Sequence, residues 1–198
     1  MLHLSIQGPQ ASGKTTSLRT LESQLADCAV SYEYPLPTVL KRDLLGLDIM
    51  TREGFIANQR LFIEAEIDRY NTLQAACVVF DRGPEDTECY TINYPRVIGE
   101  DWSTEDAMEA ELRSLRACRI DRILYLDAPV ARLITQKEGD TRRRRNSFNP
   151  ESFAIYRAWF AERDNCDFLD VSELNKTELA EGIAHWIQVN RVANKSLQ

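Results

Sequence analysis

The chain has 198 residues, of which 43% are hydrophobic and 28% charged, and its formal net charge at pH 7 is −7. That length suits one well-buried core, and a single domain over 1–198 is expected. The acidic balance argues against a nucleic acid polymer or an anionic lipid surface as partner. No apolar run approaches a membrane span and no charged-then-apolar leader precedes the first strand, so a cytoplasmic location is expected. The five cysteines are odd in number and form no C-x-x-C pair, which reads as reduced thiols, and the two histidines stand too far apart for a metal site.

Apolar runs alternate with helical patterns along the chain, as in a parallel α/β fold. Leu2 to Gln7 reads as the first strand and Thr15 to about Asp27 as the first helix. Ala29 to Glu33 reads as a second strand, stopped by Pro35 and Pro37. From Arg52 to Ala76 a long helix is expected, with Ile56, Ile63, Ile67 and Tyr70 facing the core and Phe55, Gln59 and Phe62 on an adjacent face. Cys77–Asp81, Arg122–Asp127 and Asp167–Val171 supply three more strands, apolar enough for the middle of a helix-covered sheet. Segment 93–103 carries Pro95, Gly99 and Trp102 without periodicity and reads as an irregular flap. Helices are expected over 104–118, 129–136, 150–163 and 176–189. Asn175-Lys176-Thr177-Glu178 has Glu where a guanine-reading N-K-x-D needs Asp, and no D-x-x-G accompanies it, so it reads as a helix start. In such a sheet ligands sit beyond the carboxyl ends of the strands, where Gly8, Glu33, Asp81 and Asp127 all fall.

Gly8-Pro9-Gln10-Ala11-Ser12-Gly13-Lys14-Thr15 completes the pattern G-x-x-x-x-G-K-[ST] between the first strand and first helix. Loop amides and a helix N-terminus make an anion site there. Gly8, Ala11, Ser12, Gly13, Lys14, Thr15 and Thr16 are therefore expected to hold a nucleoside triphosphate, Lys14 reaching the β- and γ-phosphates and Thr15 ligating Mg²⁺. Asp81 ends a buried strand, where a carboxylate can hold Mg²⁺-bound water or the attacking group; the alternative is a cap for the helix starting near Pro84. Arg82 can grip a phosphate or orient an acceptor. Glu33 is a candidate general base, or else an exposed strand-end carboxylate. Gln59 offers donor and acceptor side by side to a nucleobase that Phe55 or Phe62 could stack on, or it is a polar boundary residue.

Asp81-Arg82-Gly83-Pro84-Glu85-Asp86-Thr87-Glu88-Cys89-Tyr90 resembles the D-R-Y-x-x-S-x-x-A-Y segment of thymidylate kinases, and also the Asp/Glu-Arg-Ser segment of deoxynucleoside kinases. Tyr125-Leu126-Asp127-Ala128-Pro129 resembles the Y-L-D-x-P signature at the fourth strand, and Leu61-Phe62 with Arg69 is similar to the third helix of both families. The resemblance implies a P-loop NTPase fold, a three-layer sandwich around a five-stranded parallel sheet of order 2-3-1-4-5. It also implies an arginine-rich lid at about 137–148, in which Arg142 and Arg144 of the run Arg142–Arg145 would neutralise charge on the transferred phosphoryl.

By resemblance, Gln59 would pair with a base edge and Glu33 would be the base. The deoxynucleoside kinase Glu-Pro pair is here Glu33-Tyr34-Pro35, with one residue inserted and no Trp following, and the thymidylate kinase R-E-P-G-G-T segment is replaced by Tyr32-Glu33-Tyr34-Pro35-Leu36-Pro37-Thr38. The implied function is ATP- and Mg²⁺-dependent phosphoryl transfer to a nucleoside or nucleoside monophosphate, with a homodimer through the third-helix region. The alternatives are a kinase for another hydroxyl compound, such as nicotinamide riboside or an antibiotic, and a non-kinase P-loop ATPase module.

Overall fold

The computed structural model describes residues 1–25, 27–138 and 149–196. Five strands, β1 (Leu2–Gln7), β2 (Cys28–Ser31), β3 (Cys77–Asp81), β4 (Arg122–Asp127) and β5 (Cys166–Asp170), form one sheet in the order β2-β3-β1-β4-β5. Every pairing is parallel, and the register sets Ile6 beside Asp81. The helices are α1 (Lys14–Leu21), α2 (Leu36–Leu44), α3 (Arg52–Thr72), α4 (Pro84–Val97), α5 (Glu109–Arg116), α6 (Val130–Glu138), α7 (Pro150–Ala161) and α8 (Lys176–Ser196).

Alternation along the strands divides the core between the two faces of the sheet. Leu2, Leu4 and Ile6 of β1, with Val79, Leu124 and Leu126, pack against Leu18 and Leu21 of α1 and Ile183 and Ile187 of α8. On the other side Ile123 and Tyr125 meet Cys89 of α4 and Phe160 of α7, while α3 and α5 share Ile56, Ile63, Leu112 and Leu115. Burying each of these large apolar side chains contributes roughly 1.5–3 kcal/mol. The second face of β1 is an exception, because Ser5 and Gln7 are fully buried there.

Three expectations about elements need correction. Pro35 and Pro37 do not merely stop β2: Pro35 is the N-cap of α2 and Pro37 lies in its first turn, where a missing N–H costs nothing. Residues 93–97 are helical, so the irregular stretch is shorter than the sequence implied. Pro95 deprives the Thr91 carbonyl of its helical donor, and the buried Thr104 hydroxyl donates to that carbonyl instead, at 2.9 Å. Helix α1 ends at Leu21 and does not reach Asp27, which adopts a left-handed φ of 66° as the chain turns into β2. Smaller shifts occur at β2, α5, α6, α7 and β5, α3 ends at Thr72 rather than Ala76, and α8 runs seven residues beyond Val189, to Ser196. At the other end of α8 the helix start holds as expected: Asn175 Oδ1 accepts from the amides of Thr177 and Glu178, and Glu178 returns a bond to the Asn175 amide. All five cysteines are free thiols, and no described helix is long and apolar enough to cross a membrane.

Candidate active site

The loop between β1 and α1 is held in shape by backbone that only certain residues tolerate. Gly8 has φ 128°, and a Cβ there would stand 2.6 Å from the Leu126 carbonyl oxygen, so the loop is pressed against β4. Gly13 caps α1 at φ 97°, and Ala11 takes φ 68°. Lys14 curls back over the loop, its Nζ donating to Gly8 O at 2.7 Å, Pro9 O at 2.8 Å and Ser12 Oγ at 3.3 Å. Burial, and then repulsion from Arg82, push the Lys14 ammonium down to about 7 against the pull of Asp81, Asp86 and Glu33. A bound polyphosphate beside Nζ would offset that penalty. Thr16 is exposed at the start of α1.

Asp81 is buried at the end of β3, and its Oδ2 accepts the Thr15 hydroxyl at 2.5 Å. Its Oδ1 is buried with no partner among the described residues. The capping alternative is not realised, since Gly83 is the N-cap of α4. A hydroxyl and a carboxylate with a free lone pair, both hard oxygens at the end of the β1–α1 loop, are the donor chemistry that would hold Mg²⁺.

Arg82 follows Asp81 directly at this edge. It is a non-glycine residue at φ 61°, tied to β1 by its amide donating to Ile6 O at 3.2 Å. Its guanidinium pairs with Asp86 at 2.9 Å and approaches Glu33 at 3.6 Å, two residues past the end of β2. Asp86, and then Glu33, hold Arg82 firmly in its charged form.

Arg69 underlies the arrangement. Its guanidinium chelates Glu66 at 2.6 and 2.9 Å and donates to Ser31 O at 3.2 Å, Ser31 Oγ at 3.3 Å and Arg82 O at 2.5 Å. One side chain of α3 thus ties the ends of β2 and β3, which carry Glu33 and Arg82. Even so, burial pushes the Glu66 carboxyl upward from its ordinary value, with the Arg69 bonds opposing.

The structure brings together Lys14, Thr15, Asp81, Arg82 and Glu33. Gln59 and Phe55 lie deeper, between α3 and α4. Gln59 is 2% exposed and its Oε1 accepts from Thr91 Oγ1 at 3.2 Å. Phe55 is fully enclosed, stacked on Tyr94 at 4.8 Å and flanked by Tyr90 and Trp102, so it forms the core of the wall and offers no open stacking face. Phe62 is half-buried one turn along α3. Arg142, Arg144 and the greater part of the expected lid, 139–148, lie outside the described residues.

Sequence reasoning missed several polar residues at this edge. Arg132 of α6 donates to the carbonyls of Val171 and Leu174, closing the β5–α8 loop over the side of the phosphate loop. Gln136 bridges the two, donating to Ala11 O and accepting from Arg132 Nε at 3.0 Å. Arg157 of α7 chelates Asp127 at the end of β4 with bonds of 2.7–3.0 Å. Helical spacing in α6 and α7 gave the only hint of them, because their partners come from other strands.

Residues 3–181 match the model of a family described as an AAA domain, and the chain belongs to that family. No curated protein matches its sequence. Among solved structures it is similar to the deoxyadenosine kinase from M. mycoides with products dCMP and a flexible dCDP bound, at TM-score 0.68 and 15% identity over 96% of this chain and 98% of that one. It is also similar to the thymidylate kinase from Candida albicans, at TM-score 0.57 and 15% identity over 96% of this chain and 92% of that one. The expected architecture is borne out: the chain has the three-layer fold of the P-loop nucleoside and nucleotide kinases, with the strand order 2-3-1-4-5.

Proposed function

We propose that the protein is an ATP-dependent kinase whose acceptor is an uncharged hydroxyl compound of nucleoside class. The observation that carries this reading is Arg82, held opposite the phosphate loop between Asp86 and Glu33 with Asp81 beside it. Three carboxylates surround one guanidinium there. A nucleoside monophosphate would bring two further negative charges into that environment, whereas a hydroxyl gains a base. The fold it shares with deoxyadenosine kinase and thymidylate kinase agrees with either acceptor, and the local charge favours the first.

In this reading the loop amides and Lys14 hold the triphosphate, and Arg132 with the β5–α8 loop borders the donor base. Mg²⁺, held by Thr15 and Asp81 together with the phosphates, would neutralise charge on the β- and γ-oxygens. Arg82 orients the acceptor. Its hydroxyl oxygen attacks the γ-phosphorus, the bond to the β–γ bridging oxygen breaks, ADP leaves with that electron pair, and Glu33 takes the hydroxyl proton. Arg142 and Arg144 remain the proposed lid arginines.

The test is ADP release from ATP·Mg with a panel of nucleosides and their monophosphates. A nucleoside should be the better acceptor, Lys14→Ala should abolish transfer, and Glu33→Gln should lower kcat by about 10²–10⁴-fold. A monophosphate preferred over its nucleoside, or a near-wild-type rate for Glu33→Gln, refutes this assignment. The second reading is a P-loop ATPase whose output is a conformational change. ATP hydrolysis that no member of the panel stimulates would favour that reading.

A further inference from the structure

Glu85 takes no part in the chemistry above, and packing alone does not account for it. It lies in the first turn of α4, 6% exposed, on the side that meets the polar face of β1. Its Oε1 accepts from Gln7 Nε2 at 2.8 Å, and the same amide nitrogen donates to Ser5 Oγ at 2.9 Å. Glu85 Oε2 and Gln7 Oε1 are both buried without a partner. Gly83 is backed against the same carboxyl, since a Cβ there would stand 2.5 Å from Oε2. Gln7 is the residue from which the phosphate loop springs, and Gly83 follows Arg82 directly. One carboxyl therefore touches the roots of both the donor segment and the acceptor segment.

We propose that Glu85 is a positioning residue of the transfer site: through Gln7 and Gly83 it holds the phosphate loop and the Asp81–Arg82 segment in one register. The proposal rests on the kinase reading above. Burying a carboxyl with one oxygen unpartnered costs free energy, and its removal would take from the buried Gln7 amide the acceptor that joins β1 to α4.

The surroundings determine the form in which it acts. No cation bonds Glu85 among the described residues. Glu66 of α3 adds negative charge toward it, Cys166 of β5 is a neutral thiol on its far side, and Asp86 is paired with Arg82. Glu88, one turn along α4, is matched by Arg116 at 2.6 Å and Arg163 at 2.9 Å. Burial pushes the carboxyl up to about 7, against the opposing hydrogen bonds of Ser5, Gln7 and its own backbone amide. Below that pH it is the neutral acid, which can donate through Oε2. Above it, an unmatched charge stands between the two segments.

The test uses the full chain with saturating ATP·Mg, whose phosphates keep Lys14 charged, and whichever nucleoside of the panel is best phosphorylated, with kcat, acceptor KM and ADP affinity followed from pH 6 to 9. Glu85→Leu should remain folded and lower kcat by about 30-fold or more, with a smaller effect on acceptor KM. Glu85→Gln, neutral and of the same shape, should recover most of that loss and remove a wild-type decline of about tenfold per pH unit above 7. Wild-type kcat in Glu85→Leu, or an unchanged alkaline decline in Glu85→Gln, overturns the proposal; should Glu85→Leu not fold, the second comparison decides. If wild type phosphorylates no panel member, the kinase reading fails separately. ATP·Mg affinity then decides on the link: a tenfold loss in Glu85→Leu supports it, and unchanged affinity in that folded variant overturns it.

Discussion

Replacing Arg69 with Met separates what the buried guanidinium does for stability from what it does for the site. Arg69 and Glu66 expose 16% and 11% of their side chains and meet at 2.6 Å. Removing one partner of such a buried pair costs about 3–5 kcal/mol, because the other charge is left unmatched. For a chain of this length that corresponds to a fall in Tm of roughly 6–20 °C. The loss depends on pH. Burial already raises the Glu66 carboxyl above its ordinary 4.5, and without Arg69 it rises further. A carboxyl whose folded pKa exceeds its unfolded one contributes stability below the unfolded value and loses it as pH rises through the folded value. Arg69→Met should therefore be mildly destabilised near pH 5 and fully so at pH 8, as read by urea unfolding at both. The double variant Glu66→Leu/Arg69→Met should recover most of the stability at pH 8. It should not recover acceptor KM, because the carbonyls of Ser31 and Arg82 still lack their donor. A loss in the single variant that is independent of pH, or a double variant no more stable than the single at pH 8, refutes the reasoning.

Two further outcomes follow from the loop and the metal pair. Gly8→Ala places a Cβ 2.6 Å from Leu126 O at φ 128°, so the loop must move off β4; backbone strain of about 1–3 kcal/mol should appear as a lower Tm, and ATP affinity by calorimetry should fall about tenfold or more. An unchanged affinity would show that the loop's seat against β4 does not matter. Asp81→Asn keeps the shape beside Thr15 but removes the charge, so the Mg²⁺ concentration for half-maximal turnover should rise by about tenfold or more. An unaltered Mg²⁺ requirement would remove Asp81 from the metal site.

How much of this was legible in the sequence depended on whether a feature is local. The phosphate loop is a contiguous backbone device, so its residues announce it, and Asp81-Arg82 could be placed because a buried strand ends there. Helix α2 was hidden because Pro35 and Pro37 signal a stop and a helix start equally well. Residues 93–97 were hidden because the donor that compensates for Pro95 is Thr104, which no local pattern associates with it. Arg69 was noticed only by resemblance, and its partners Ser31, Glu66 and Arg82 come from three segments. Glu85 gave no signal, since an acidic residue in a first helical turn is what the helix dipole favours anyway. Its partner Gln7 lies 78 residues away.

The electrostatics of the folded edge say more about the ligand than the motif does. Lys14 is held with its ammonium pushed down to about 7, and Asp81 Oδ1 is buried without a donor. The first is a cation burdened by burial and the second a carboxylate oxygen without a donor, so one ion of a single sign does not suit both. A polyphosphate alone would stabilise Lys14 and repel Asp81, and a bare cation would do the reverse. A magnesium–triphosphate complex carries both signs, which agrees with the ligand proposed above for this pair. On the acceptor side, Arg82 is already matched by Asp86 and Glu33. That half of the site has no charge deficit to fill, which supports the proposal that the recipient is recognised by its hydroxyl and its base, not by a phosphate.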